Sequence, residues 1–156
     1  MRTMSRLFGL SLAVLALSAF SASNASAANL VDGSIGADDS ACTWTNGTTS
    51  ADPPSTLTIE NSSINGNLSC NGDISSATLN NDPTVTFNDA AGTATADAVS
   101  VTVVVFGVTC GYTASAVTLA REGETRTYSG TATATKTSGG FFCPGSQDLN
   151  ATVSFH

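Results

Sequence analysis

Only a few residues of this chain have side chains suited to catalysis, and their positions argue against it. The one histidine, His156, is the last residue, and a chain terminus is usually too mobile to be oriented as a catalytic base. The three glutamates are Glu60, Glu122 and Glu124. The last two flank Gly123 in a predicted exposed turn, which indicates a solvated hairpin tip rather than a pair of glycosidase carboxylates. We therefore expect a protein that is not an enzyme.

Metal and phosphate chemistry lack their usual sequence signatures. The sequence contains no glycine-rich phosphate loop and no zinc-binding motif. Acidic and Asn-rich segments at 38–39, 80–82 and 88–89 offer oxygen ligands. None of the three segments has the ordered ligands, the glycine and the closing glutamate of a calcium loop. We expect no catalytic, cofactor-binding or metal-binding residues, and no cofactor.

The four cysteines, Cys42, Cys70, Cys110 and Cys143, indicate a structural role. Four cysteines allow three disulfide pairings. Each half of the chain has a Cys-x-aromatic segment, at Cys42 and Cys110, followed by a segment with Gly two residues after Cys, at Cys70 and Cys143. This internal similarity selects the pairing Cys42–Cys70 and Cys110–Cys143. No two cysteines have the spacing of a zinc ligand pair, which favours disulfides over a metal site.

The segment 139–144, Gly-Gly-Phe-Phe-Cys-Pro, is the one candidate contact loop. Its adjacent aromatic residues, Phe141 and Phe142, cannot both point the same way. We expect one of them to plug the end of the fold and the other to meet solvent or a partner. A hydrophobic lid over the disulfide of Cys143 is the favoured interpretation, and a contact site is the alternative.

The N-terminus predicts a secretory signal peptide over residues 1–27. Arg2 and Arg6 precede an apolar run over residues 7–20, and Ala25-Ser26-Ala27 fits a small-x-small cleavage site. The run is shorter than the roughly 20 apolar residues of a membrane span. We expect no membrane insertion after cleavage, and a single domain over residues 28–156 that is secreted outside the cell or retained at the cell envelope.

The charge balance excludes two classes of partner. Once the signal peptide is removed, Arg121, Arg126 and Lys136 are the only basic residues against twelve acidic ones. Nucleic acids and anionic membranes are bound mainly through Lys and Arg, so neither is expected as a partner. The partner we expect is a protein or an envelope component that the sequence does not identify.

Alternating apolar and polar residues predict short strands joined by tight turns. Val99, Val101 and Val103 share one parity, whereas Val108, Cys110 and Tyr112, with Phe106, share the other. This change predicts a bulge or a break near Val104 or Gly107. Trp44 and Tyr112 follow a cysteine by two residues, so each is expected to share a strand face with that cysteine and to cover its disulfide.

Turn signals separate the alternating runs. Asn46-Gly47, Asn65-Gly66, Asn71-Gly72 and the segment 122–124 can each form a tight hairpin turn. About eight strands at this spacing indicate an all-β sandwich or barrel. We favour a single antiparallel β-sandwich of immunoglobulin-like architecture after the signal peptide.

The segment 108–113, Val-Thr-Cys-Gly-Tyr-Thr, together with the run over 131–155, resembles small secreted actinobacterial β-sandwich proteins of unknown function. Those proteins also combine a signal peptide, Thr- and Ala-rich strands and a late cysteine before a closing strand. The resemblance implies an extracellular β-sandwich, and it brings no established activity that could be carried over to this chain. Trp44 follows Cys42 more closely than the core Trp of a true immunoglobulin domain follows its cysteine, so "immunoglobulin-like" describes architecture alone.

The leading functional hypothesis is a non-enzymatic secreted or cell-surface module that binds a partner or forms part of the envelope. The alternative is a soluble carrier or a protease inhibitor. A carrier would need an apolar cavity, lined by Phe, in place of a filled core. An inhibitor would need a rigid exposed loop, for which 139–144 is the only candidate.

Overall fold

The computed structural model describes residues 29–156, so the predicted signal peptide lies outside the described residues. Ten strands and one short helix follow one another along this part of the chain. They are β1 (Leu30–Ala37), β2 (Ser40–Thr48), β3 (Leu57–Thr58), α1 (Asn61–Asn65), β4 (Ser69–Cys70), β5 (Ile74–Leu79), β6 (Thr84–Asn88), β7 (Thr93–Val105), β8 (Val108–Arg121), β9 (Thr127–Ser138) and β10 (Ser146–Phe155).

These strands form one continuous antiparallel sheet. Its order is β3-β6-β7-β8-β9-β10-β1-β2-β4, and β5 pairs with β7 beside β6. Because β7 is 13 residues long, β6 lies along its first half and β5 along its second half. An all-β antiparallel fold is confirmed. An immunoglobulin-like sandwich is not, because all described strands belong to one sheet. There are more strands than predicted because β3 and β4 have two residues each and leave no alternating pattern.

The sheet curls until its two edges meet. Its edge strands β4 and β5 are in contact, and α1 packs against β2 and β5. Both β7 and β8 change the face that they turn inward near the middle of the strand. In β7 the inward residues change from Ala94 and Ala96 to Val99 and Val101, and in β8 the change falls at Ala116, whose φ is +49°. Such irregularities bend a sheet and increase its twist.

The seam between the two edges is closed without a strand ladder. The side-chain amide of Asn65, the last residue of α1, donates to the carbonyl oxygen of Leu79 at 2.9 Å and accepts from the Leu79 N–H at 2.8 Å. It takes the place of a neighbouring strand beside β5. The preceding residue, Ile64, is buried, and any side chain at Gly47 of β2 would collide with it.

The predicted hairpin turn at 122–124 is confirmed, and the change of parity near Gly107 also has a hairpin turn as its cause. Phe106 and Gly107 form a two-residue turn between β7 and β8, with φ angles of +51° and +79°. The break predicted near Gly107 is thus a hairpin turn, which changes the parity without a bulge. The segment 122–124 lies in the turn between β8 and β9, where the Glu122 N–H donates to the carbonyl oxygen of Thr127 at 2.8 Å.

The other turn signals mark different features. Asn46-Gly47 does not form a hairpin turn, because both residues lie within β2. Asn46, with φ +55°, belongs to a bulge where the register between β1 and β2 shifts. Asn65-Gly66 ends α1. Asn71-Gly72 connects β4 and β5, which touch but are not paired with each other.

Candidate functional site

The concave face of the sheet encloses a cavity of about 580 Å³. Its wall consists mainly of aliphatic side chains that alternate along the long strands. They include Val99, Val101, Val103 and Val105 of β7, Val108, Ala114, Val117 and Leu119 of β8, Ala132 of β9, and Leu149, Ala151 and Val153 of β10. Valine and alanine are short, so side chains from facing walls leave space between them. The volume is within the range of about 300–1,000 Å³ that is typical of small-molecule sites.

Three aromatic side chains, Phe87, Tyr128 and Phe155, pack together at one end of the sheet, beyond the residues that line the cavity, and we call this cluster the floor. Their ring centroids lie 5.5, 5.4 and 6.1 Å apart in tilted and edge-to-face arrangements, which are the favoured geometries of aromatic pairs. Other core residues at this end, such as Val31 and Leu57, are at most 1 % exposed. The core is therefore filled at this end of the sheet.

The other end is open, and we call its rim the mouth. Most of the exposed residues that line the cavity belong to connections at this end: Asp38 and Asp39 between β1 and β2, Asp73 before β5, Phe106 between β7 and β8, and Phe142 between β9 and β10. These connections share one end because their strands are antiparallel neighbours in the sheet. The curled sheet is therefore a cup that is open at the mouth.

The predicted contact loop lies at this mouth. Phe141 and Phe142 are 95 % and 81 % exposed, so the expectation that one of them plugs the fold is wrong. Neither is a lid over Cys143, which is buried by the loop backbone. A side chain at Gly139 would collide with the Cys143 sulfur and lie 3.0 Å from the Thr109 carbonyl oxygen. Because the backbone packs against the disulfide, the two phenylalanine side chains project outward.

Both predicted disulfides are present, Cys42–Cys70 and Cys110–Cys143. The first joins directly opposed residues of β2 and β4. The second fixes the contact loop to β8. Both Cys42 and Cys110 also line the cavity, so the disulfides form part of its wall.

Two aromatic residues of the wall share a strand face with these cysteines, as predicted. Trp44 lies against β1, where a side chain at Gly33 would collide with its indole ring. Tyr112 is 6 % exposed, and burial raises the pKa of its hydroxyl. Apart from the carboxylates of the mouth, Tyr112 is the only ionisable side chain among the described residues that line the cavity. Its hydroxyl is neutral, and it belongs to a lining that is mainly apolar.

The mouth carries negatively charged side chains that form no stabilising contact with the described residues. Within residues 29–156, the carboxylates of Asp38, Asp39 and Asp73 accept no hydrogen bond and form no ion pair. The cation at this end is Lys136, whose Nζ donates to the Cys143 carbonyl oxygen at 3.1 Å and so holds the contact loop. An anionic group that approaches the mouth would meet three unpaired carboxylates.

The residues considered for catalysis lie elsewhere. Glu122 and Glu124 are exposed at the floor end, and Glu60 is exposed before α1. His156 lies on the outer surface with its Nε2 at 3.1 Å from Asp32. In the part of the chain that the structure describes, no three His, Cys, Asp or Glu side chains are grouped so as to hold a metal ion. Across the same residues, no helix has the length and apolar character needed to span a membrane.

The cavity itself was missed by sequence reasoning. The alternation predicted which residues face inward, but a filled core and a hollow one share that pattern. The available signal was side-chain size, since the inward positions of the long strands are dominated by Val and Ala. Comparison of the chain with protein-family models, with curated proteins and with solved structures finds no match.

Proposed function

We propose that this protein is a secreted, non-enzymatic binding protein that carries one apolar small molecule inside the cup. The observation that supports this most directly is the cavity of about 580 Å³, with aliphatic walls, an open mouth and a filled core at the opposite end. An apolar space of this size is unfavourable unless something fills it, because its lining loses van der Waals partners. A ligand would restore those contacts. For this reason we propose a small-molecule carrier, which is a more specific function than that of a general binding module.

The size and chemistry of the cavity limit the ligand. One water occupies about 30 Å³ of the liquid, so the cavity corresponds to roughly 20 atoms other than hydrogen. The wall favours a hydrocarbon body with at most one hydrogen-bonding group, placed to reach Tyr112. The carboxylates of the mouth disfavour an anionic ligand. We therefore propose a neutral or cationic ligand, such as a long-chain alcohol, a terpenoid or an amine with an apolar body.

Secretion is part of the proposal. Disulfides persist mainly in oxidising compartments outside the cytosol, and two of them are present here. The predicted signal peptide provides the export route. A water-filled space outside the cell, where a hydrocarbon is sparingly soluble, is where such a carrier is useful.

The test is to fill the cavity and measure binding of an uncharged fluorescent probe, N-phenyl-1-naphthylamine. The variant Val101→Phe/Val103→Phe places two larger side chains in the wall of the cavity. The matched control Thr102→Phe/Val104→Phe adds the same rings to the intervening residues of β7, which do not line the cavity. We expect the probe to bind the mature, oxidised protein and the control, and to bind the filled variant at least about tenfold more weakly.

Two outcomes would refute the proposal. One is failure of the folded wild-type protein to bind the probe or a long-chain alcohol. The other is equal probe binding by the filled variant and the control, with both shown by circular dichroism to be folded. Competition by decanol and by decanoate tests the charge preference separately. We expect decanol to displace the probe at a lower concentration than decanoate.

A further inference from the structure

Three exposed phenylalanines project from the mouth end. Phe106, Phe141 and Phe142 are 79 %, 95 % and 81 % exposed, whereas large apolar side chains are ordinarily buried. Phe141 and Phe142 touch each other edge-on, with ring centroids 6.0 Å apart. The contact loop also packs on the first residues of β8, directly after the turn that carries Phe106. The three rings thus form an aromatic rim, which denotes Phe106, Phe141 and Phe142 below.

Phe106 occupies a backbone conformation that disfavours it. Both residues of its two-residue turn have positive φ, +51° and +79°, and Asn-Gly is the sequence that such a turn prefers. A bulky residue with positive φ is strained. Its side chain gains no burial in return. A strained residue without a folding role indicates a functional one.

The shape of the aromatic rim favours a soft surface over a folded protein partner. The rings stand at the tips of two connections, and at least 79 % of each side chain is exposed. Side chains that project separately can each enter the interfacial region of a lipid layer. The rim also surrounds the entrance of the cavity, since Phe106 and Phe142 line it.

The charges at this end select the kind of lipid. Asp38, Asp39 and Asp73 lie beside the rim, and Lys136 is held by the loop carbonyls. The two arginines lie at the floor end, where Arg121 pairs with Asp89 at 3.5 Å and Arg126 with Asp52 at 3.8 Å. Anionic head groups would be repelled by the mouth. The outermost ammonium of a zwitterionic head group would meet the carboxylates with favourable sign.

We infer that the mouth docks onto a lipid surface with zwitterionic head groups by inserting the aromatic rim. Docking would place the entrance of the cavity against the lipid, so that an apolar ligand could pass between them without crossing water. That exchange rests on the proposed function, whereas docking itself does not.

The test is flotation of the mature, oxidised protein with vesicles of phosphatidylcholine and phosphatidylethanolamine, with and without phosphatidylglycerol. We expect the wild-type protein to float with the zwitterionic vesicles and to bind less as anionic lipid is added. Phe141→Ser should lower binding about tenfold, since it removes one inserted ring. Ala90→Ser, an exposed neutral change at the floor end, is the matched control and should bind as the wild type does.

Phe106→Asn separates a functional role from a structural one. Asn suits the positive φ at this position, so the variant should unfold at the same temperature as the wild type or at a higher one. It should nevertheless bind zwitterionic vesicles about tenfold more weakly. A variant that is more stable and still binds vesicles like the wild type would overturn the inference.

Docking and cavity binding fail in different experiments. Phe141 does not line the cavity, so Phe141→Ser should keep probe binding while it loses vesicle binding. Val101→Phe/Val103→Phe should lose probe binding and keep vesicle binding. Absence of flotation by the wild type would refute docking, but it would not contradict ligand binding in the cavity. Self-association through the same three phenylalanines, seen by sedimentation without flotation, would also refute lipid docking. It would indicate that the aromatic rim contacts a second copy of the chain.

Discussion

The two ends of the cup each have three aromatic residues, and they use them in opposite ways. At the floor, Phe87, Tyr128 and Phe155 pack against one another, and the last two are 3 % exposed. At the mouth, the three rings of the aromatic rim are at least 79 % exposed. Residue type is thus the same, but only the floor contributes its rings to the hydrophobic core.

The difference follows from where the residues stand in the chain. The floor residues lie within β6, β9 and β10, where alternation turns them toward the concave face. The rim residues lie in connections, where no ladder orients the side chain. Apolar residues that strands bury contribute to stability. Apolar residues that connections expose are available for contact with something outside the molecule.

The largest expected effect is a loss of stability at the floor. Phe155→Ala removes a buried ring and should lower the free energy of unfolding by about 3–5 kcal/mol. Phe142→Ala, the matched change at the mouth, should alter it by no more than about 0.5 kcal/mol. Urea denaturation of both variants measures the difference. Equal destabilisation would show that the mouth ring is packed in solution and would remove the contrast between the two ends.

A second test concerns the disulfide that fixes the contact loop of the mouth to the wall of the cup. Cys110→Ala/Cys143→Ala opens the disulfide that fixes the contact loop to β8, whose cysteines are 33 residues apart. On the chain-entropy model, loss of this cross-link should lower the free energy of unfolding by about 3.5 kcal/mol. Urea denaturation under non-reducing conditions checks this. A change below about 1 kcal/mol would mean that the loop is held by Lys136 and its packing instead.

The smallest expected effect is the pH dependence of stability at the floor end. Asp32 accepts the Asn46 N–H at 2.7 Å and lies 3.1 Å from His156, and these interactions, the first above all, lower its pKa. The N–H groups of Ala98 and Thr84 lower the pKa of Asp97 in the same way. Both pKa values lie below the ordinary value of 3.8.

Because the folded-state pKa values are lowered, both carboxylates stabilise the fold above their unfolded pKa. That stabilisation is lost as the pH falls through the lower folded values. We expect the urea midpoint to fall between about pH 4 and pH 2. The fall should be smaller in Asp32→Asn/Asp97→Asn, which keeps the shape of both side chains. An identical fall in the variant would assign the acid sensitivity to other groups.

Much of the fold could be predicted from the sequence, because strands leave a local pattern. Alternation identified the long strands, and the internal similarity selected the disulfide pairing that the structure confirms. The sheet order was not predictable, because the bends at Ala116 and at the bulge of Asn46 depend on pairing between distant strands. Asn65 could not be recognised as the closure of the seam, since its partner, Leu79, is brought there by the curl alone.

The candidate site was predictable only in part. Phe141 and Phe142 were recognised as unusual, but their direction depends on how the loop backbone packs on the disulfide of Cys143. Phe106 was assigned to an alternating run, because a Phe-Gly turn lacks the Asn that ordinarily marks such a turn. The volume of the cavity depends on the curvature of the whole sheet, which no short segment encodes.

The single-amide closure at Asn65 has a consequence for the width of the cup. Along most of the wall neighbouring strands are joined by ladders, whereas β5 is joined to α1 through the two hydrogen bonds between Asn65 and Leu79. We expect an expansion of the interior to open this junction, because only two hydrogen bonds join these two elements. The width of the largest ligand that the cup accepts would then depend on how far this junction can open. The volume of the closed cavity sets only the smallest ligand that fills it.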